Sequence, residues 1–330
     1  MPRISCERLV EQLTALFVRE GVSEGRSRRV AELYAQASAD GVASHGAVFV
    51  PVLLQWVREK LIADPENPPA LVSAFGAFER YDGRRGFGAL NAEFCMDRAM
   101  ALADAHGIGA VGLRNTGHWG RPGNCGWRAA ERGYLAICWT NTWPVMPPWE
   151  GARNALGNNP LVFAAPGADG EHLVLDMAMS QFSMGRLNTH RAEGKPLPVT
   201  GGADANGKPT TDPAAILDGG VAWPAGFWKG SGLAIMLDAF ASVLADGMTT
   251  AELEKTPEGL GVCQVFLAFA PSRLGGADAA ERTRAIVRHL AETNPESRYP
   301  GRSALDERRR SAREGVYVRD EIWAKLGLRA

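Results

Sequence analysis

Gly107-Ile108-Gly109-Ala110-Val111-Gly112-Leu113-Arg114 is the stretch on which the fold turns. Its first six residues fit G-x-G-x-x-G, the glycine pattern with which a Rossmann crossover receives a dinucleotide pyrophosphate. That use needs a strand before the glycines and a helix after them, because the phosphates sit at the helix N-terminus. Here the order is reversed. Residues 92–106 pattern as a helix, and 110–114 read as a buried strand. The glycines therefore mark a helix stop and the start of a strand, and the Rossmann reading is set aside.

Working outward, short β-rich runs alternate with helices. Strands are expected at 77–81, 134–140, 161–165, 173–177 and 263–270, and helices at 233–244, 277–291 and 304–314. Before residue 70 the pattern is helical. Ser5 caps a helix that places Leu9, Val10, Leu13, Leu16 and Phe17 on one face and ends at Gly21. Ser23 is expected to cap a second, with Val30, Leu33, Tyr34 and Ala37 inward and Gly41 as its stop. A third spans 48–60, with Pro51 tolerated in its first turn. The expected class is α/β: an N-terminal helical segment (1–70), a mixed α/β core binding cofactor and substrate (71–270), and a C-terminal helical segment (271–330). The Gly- and Pro-rich stretch 194–213 reads as a long functional loop.

Bulk properties narrow the function. Hydrophobic residues make up 45% and charged residues 22%, which suits a folded globular chain rather than a disordered one. A formal net charge of -1 gives no general attraction to nucleic acid or an anionic membrane. Arg308-Arg309-Arg310 stand among Asp306, Glu307 and Glu314 and read as a solvated helix face. No run approaches the roughly 18 apolar residues of a membrane span. The opening MPRISCERLVEQL lacks a secretory core. Cys6, Cys95, Cys125, Cys138 and Cys263 are scattered, without a C-x-x-C pair, so neither a disulfide framework nor a metal site is expected and the setting is expected to be cytoplasmic.

Histidine is the residue type that points to chemistry. His106 and His289 read as structural or solvated, His172 precedes a strand, and His190 lies near the Gly/Pro-rich stretch without support. His45 and His118 differ: each sits in a polar loop between glycines, GVASHG (41–46) and NTGHWG (115–120). Either they are structural hydrogen-bonders, or they are proton carriers with a pKa that starts near 6.5. Ser44 beside His45 does not make a hydrolase dyad, since G-x-S-x-G is absent. Trp228-Lys229-Gly230-Ser231-Gly232, placed before an apolar helix, reads either as a phosphate cradle or as an ordinary loop capped by Ser231. Asp176 at a strand end suits ribose hydroxyls or a plain turn cap. The tryptophans from Trp119 to Trp149 read as core and pocket walls, with a binding module as the alternative.

GVASHG (41–46), GIGAVGLRNTGHW (107–119), ICWTNTWPVMPPWEGA (137–152), LGNNPL (156–161), VLDMAMSQFSMG (174–185), GFWKGSG (226–232) and YPGR (299–302) together resemble the malate/L-lactate dehydrogenase family, which lacks the Rossmann fold. The resemblance runs almost end to end. It implies a family-specific mixed-sheet NAD(P)-binding core, hydride transfer from nicotinamide to a 2-oxo carbon, and a homodimer. It makes His45 the proton donor to the forming alkoxide. Substrate contacts are expected from Ser44, Asn115, His118, Thr140 and Asn141. Cofactor contacts are expected from His172, Leu173, Val174, Leu175, Asp176, Met177 and Ala178, from Trp228 and Lys229, and from Gly301, Arg302 and Ser303. A sugar-derived 2-oxo acid such as 2,3-diketo-L-gulonate is the first substrate implied. Two departures stand out. Relatives usually carry Arg where this chain has Phe49, which shifts the expected carboxylate clamp to Arg121. Relatives also tend to have an acidic residue near Arg302-Ser303, so NADP stays open beside NAD. The alternatives are a malate, lactate or ureidoglycolate dehydrogenase, and a catalytically silent sugar-acid binder.

Overall fold

The computed structural model describes residues 3–256, 259–275 and 278–329. A short strand β1 (Arg3–Ile4) leads into α1 (Cys6–Arg19), and Ser5 caps that helix as expected, its hydroxyl accepting from Arg8 N. In α2 (Glu24–Ala39) the expected cap fails: Ser23 sits at the position but gives its hydroxyl to Glu66 instead, at 2.5 Å. Residues Ala43–His45 and Ala47–Phe49 form tight 3-10 turns, so α3 (Val50–Arg58) starts two residues later than expected, with Pro51 in its first turn. Next come β2 (Ala70–Phe75), β3 (Phe78–Asp82), α4 (Gly88–His106), β4 (Ile108–Gly117), α5 (Gly123–Glu131), β5 (Leu135–Thr140), β6 (Leu161–Ala165) and β7 (Leu173–Met177). The chain continues through α6 (Met184–Ala192), β8 (Gly202–Ala203), β9 (Pro209–Thr210), α7 (Pro213–Leu217), β10 (Val221–Ala222), α8 (Trp228–Ala245), α9 (Thr250–Leu253) and β11 (Leu260–Phe269). It ends with α10 (Ala279–Thr293), α11 (Arg302–Glu314), β12 (Val316–Tyr317) and α12 (Asp320–Leu326). Ala277, the expected start of α10, lies outside the described residues.

The main sheet has seven strands in the order β2-β3-β4-β11-β5-β6-β7. Every neighbouring pair is antiparallel except β3 and β4, which α4 joins as a parallel crossover. Gly107 ends α4 in the left-handed region, φ 83°, and β4 begins at the next residue. The glycine pattern is thus the helix stop it was expected to be. Helices α4 and α5 cover one face around Met96, Val111, Val162 and Phe266, and α8 covers part of the other around Trp139, Leu237, Ala241 and Val265.

Two arrangements depart from expectation. The first and last segments, separate in sequence, share one core: β1 pairs with β12, and Leu9, Leu13, Phe17 and Leu53 pack with Val316, Ile322 and Leu326. The stretch 194–213 is not a loop. It contributes β8 and β9 to a three-stranded sheet, β10-β8-β9, over a small core of Leu187, Leu197, Ile216 and Ala222. Strands of two residues carry no readable period, which is why sequence missed them. Among the described residues no helix is long and apolar enough to cross a membrane.

Candidate active site

The loop that carries His45 is moulded onto the end of α2. A Cβ on Gly46 would collide with Ser38 Oγ, and that hydroxyl accepts from Ala47 N at 2.8 Å. The glycine beside His45 therefore admits protein, not a ligand. Ser44 Oγ lies 2.8 Å from His45 Nδ1. His118 follows β4, and its Nδ1 accepts from Gly120 N at 3.1 Å, so the neutral ring carries its proton on Nε2. The two imidazoles lie nearly parallel with centroids 5.6 Å apart. Phe49 packs on His118 at 4.7 Å and parallel to Tyr34 at 6.2 Å.

Beneath this loop Asp40 is almost wholly buried and takes four hydrogen bonds. Gln36 Nε2 donates at 2.6 Å, Arg308 donates from Nε and Nη2 at 2.8 Å each, and Arg121 donates from Nη1. Burial works to raise the Asp40 pKa, but the guanidiniums of Arg308 and Arg121 outweigh it and hold the carboxyl below its ordinary value. The cluster joins α2, the loop after β4 and α11.

Two cavities meet at His45. The first, about 490 Å³, is walled by Phe49, Val52, Trp56, Trp143, Val145 and Val262, with Thr140, Thr142, Asn158 and Ser183 as its polar points. Among the described residues no Arg or Lys lines it. The second, about 720 Å³, is a groove bounded by Gly41, Val42, Val174, Asp176, Ala178, Pro300, Gly301 and Ser303. Ser44, His45, Asn158, Pro160 and Ser183 line both.

Desolvation dominates the electrostatics. Burial, reinforced by the charge of Arg121, lowers the His45 pKa to about 4. Burial, with His45 as the lesser cause, lowers His118 to about 3. Both rings are neutral at physiological pH. Asp176 is open to the groove yet ringed by protein on its other sides. Confinement raises its carboxyl, against the opposing pull of Arg121 and the Gly123 N–H, which donates at 2.8 Å.

The structure sorts the expected site residues. Ser44, His45, His118 and Thr140 line the first cavity together. Asn115 and Asn141 do not. Asn115 Nδ2 bonds Asp82 at 2.9 Å, and Asn141 is fully buried behind the wall, tied to Asp238, Met248 and Cys263. Arg121 lines the groove rather than the first cavity, and its charge is committed to Asp40. Of the segment from His172 to Ala178, only Val174, Asp176 and Ala178 line the groove. Leu173 and Leu175 point across the sheet to an apolar crevice, Met177 packs toward α8, and His172 accepts from Gly167 N. Strand alternation turns Leu173, Leu175 and Met177 away, whereas His172 precedes β7 and packs against Trp127. Gly301 and Ser303 border the groove, whereas Arg302 lines an adjoining crevice and pairs with Asp306 at 3.0 Å. Trp228 and Lys229 border neither cavity. They form the first turn of α8, where Lys229 N and Gly230 N already bond Gly226 O and Ala225 O, and Ser231 Oγ accepts from Trp149 N instead of capping. Two of the N–H groups that a phosphate cradle would use are thus already bonded within the chain. Sequence reasoning missed Asn158, Thr142, Trp143 and Ser183, although all four lie in segments that carried the resemblance.

Comparisons with known proteins identify the family and the fold. Residues 4–327 match the malate/L-lactate dehydrogenase family. The chain is 38% identical over 333 residues to 2,3-diketo-L-gulonate reductase of Citrobacter koseri, covering 98% of this chain and 99% of that protein. It is 37% identical over 331 residues to the protein of the same name from Escherichia coli, with the same coverage. Among solved structures, Δ1-piperideine-2-carboxylate reductase of Pseudomonas syringae superposes with a TM-score of 0.88 at 28% identity over 99% of both chains. Sulfolactate dehydrogenase of Methanocaldococcus jannaschii does so at 0.83 and 25%, over 99% of this chain and 98% of that one.

Replacing Asp40→Ala strands the buried guanidinium of Arg121 and leaves half-buried Arg308 with Glu131 alone. We expect a loss of about 3–5 kcal/mol of stability, read from the urea midpoint at unchanged slope. A loss below about 1 kcal/mol would show that the cluster behaves like a surface ion pair.

Proposed function

The chain belongs to the malate/L-lactate dehydrogenase family, and from that premise we propose that it reduces the keto group of a small 2-oxo acid with a nicotinamide coenzyme, His45 supplying the proton. The observation that carries this reading is the placement of one neutral imidazole in the seam between two adjoining cavities. The residues present suit a dinucleotide in the groove. Asp176 offers a carboxylate to ribose hydroxyls, small residues at Gly41, Ala178 and Gly301 leave room for a flat ligand, and Ser303 offers a hydroxyl. When bound, the reduced nicotinamide supplies hydride to the carbonyl carbon.

The protein's own contribution is the proton and the enclosure. Among the protein's own groups His45 is neutral and is ready to take a proton from a hydroxyl, which is the oxidative direction. Reduction needs the imidazolium. An anionic substrate carboxylate beside the ring favours that charged form and raises the pKa as the site fills. His118 offers its Nε2 proton as a neutral donor. Phe49, Trp56 and Trp143 exclude water from the reacting end.

The first cavity favours a substrate with an uncharged tail. A second carboxylate would meet Phe49 and no cation. A sugar-derived acid fits better, its C–H faces against the aromatic walls and its hydroxyls toward Thr142 and Ser183. 2,3-Diketo-L-gulonate, named by the relatives, is therefore the first candidate. NAD is the favoured coenzyme. The crevice next to the groove sets Arg298, Arg302 and Arg310 against Glu171, Glu296, Asp306 and Glu307, and these acids disfavour an added 2′-phosphate. The outward face of α8 exposes Trp228, Ile235, Met236, Phe240 and Val243, an apolar surface suited to a second copy of the chain in a homodimer. The free cysteines support a reducing, cytoplasmic setting.

Removal of the imidazole in His45→Ala is expected to lower kcat about 10²–10⁴-fold while fluorescence titration shows NADH bound as before, and tighter than NADPH. Near-normal turnover would reject the assignment. In the wild type, kcat/KM for oxidation of the hydroxy acid should hold until pH approaches about 4, the value in the free enzyme; a break near 6.5 would contradict the buried neutral ring. Phe49→Arg is expected to improve kcat/KM on a 2-oxo dicarboxylate by about tenfold, and no gain would show that this position does not choose the acid. Phe240→Glu should turn a dimer into monomers in analytical ultracentrifugation; a monomeric wild type would refute the interface.

A further inference from the structure

Asn158 lies where the two cavities meet and lines both of them. Its amide is pinned from one side only. Thr142 Oγ1 donates to Oδ1 at 3.0 Å, while Nδ2 has no acceptor within reach among the described residues. A planar amide whose oxygen is fixed has its two N–H bonds fixed as well. The surrounding backbone is equally constrained. Asn158 O accepts from Met179 N at 2.7 Å. The neighbouring Asn159, almost fully buried at φ 23°, accepts from Thr142 N at 2.9 Å and donates to Ala234 O at 2.8 Å. A side chain on Gly157 would run into Thr142. Three separate elements thus hold one unspent pair of donors against the seam beside His45.

As the carbonyl is reduced, its oxygen gains negative charge, and among the described residues no Arg or Lys lines the cavity to meet it. A neutral donor fixed in advance serves that purpose, because it binds the developing oxyanion more strongly than the ground-state carbonyl. We infer that Asn158 is a catalytic residue whose Nδ2 donates a hydrogen bond to the substrate oxygen that His45 protonates. Hydride adds to the carbonyl carbon, the C–O π pair moves onto oxygen, and that oxygen takes the proton of His45. Asn158 transfers no proton and holds the oxygen throughout. This inference rests on the 2-oxo acid reductase reading.

The test compares steady-state reduction of 2,3-diketo-L-gulonate, or of the best substrate in a 2-oxo acid panel, by wild type and variants. Asn158→Ala should lower kcat about 10²–10³-fold, with substrate KM within about threefold and NADH affinity by fluorescence unchanged. Asn158→Asp should be slower still, since a carboxylate repels the oxyanion. Thr142→Val, which keeps the amide but frees it to rotate, should fall between wild type and Asn158→Ala. Unaltered NADH binding and thermal midpoint show that each variant folds. A kcat within about threefold of wild type, or a loss confined to substrate KM or to NADH affinity, overturns the inference. A wild type that reduces no 2-oxo acid removes the underlying reading as well, whereas an active wild type matched by Asn158→Ala removes this inference alone.

Discussion

The ion cluster on Asp40 is the constraint on which the rest of the site depends. One buried carboxylate takes hydrogen bonds from Gln36, Arg121 and Arg308, and so fixes the end of α2, the loop after β4 and the body of α11 relative to one another. Those three elements carry His45, His118 and the Gly301–Ser303 edge of the groove. A buried charge of this kind adds little net stability over an apolar substitute, but it tolerates few arrangements other than the paired one. Its worth here is geometric. The two cavities adjoin at His45 because their walls are fastened to the same carboxylate.

The same cluster sets the electrostatic tone. Arg121 is close enough to help hold His45 neutral, yet its charge is spent on Asp40, so it does not act as a free cation for a substrate. The result is a reaction chamber with aromatic walls, two neutral imidazoles and a few fixed dipoles. Such a chamber receives charge with its substrate instead of offering it beforehand. Among the described residues no cation lines it, so beside Phe49 a second carboxylate would have no partner.

Much of the fold was legible locally. Ser5 capped its helix, Gly107 stopped α4, and the strands with a clear period fell where expected. The misses have physical causes. Two-residue strands within 194–213 lack a period to detect. Ser23 found a stronger partner in Glu66, and the Trp228–Gly232 segment was already helical because Phe227, at φ 61°, turns the chain one residue earlier. Within the cofactor segment the residues named were adjacent in sequence, but a strand presents only every second side chain to one face. Val174, Asp176 and Ala178 face the groove, and their neighbours do not.

Sequence by itself determined the order of helices and strands, the rejection of a Rossmann crossover, and the two glycine-flanked histidines. These follow from backbone geometry and from periods that span only a few residues. Tertiary structure alone decided that the chain's two ends share a core, that Asp40 gathers Arg121 and Arg308, and that Asn158 and His45 line the same two cavities. Those contacts join residues from 81 to more than 300 positions apart, 312 for Arg3 and Gly315, or elements brought together by the packing of whole layers. No local signal encodes a distance of that kind, because it is set by which apolar faces find one another when the core closes.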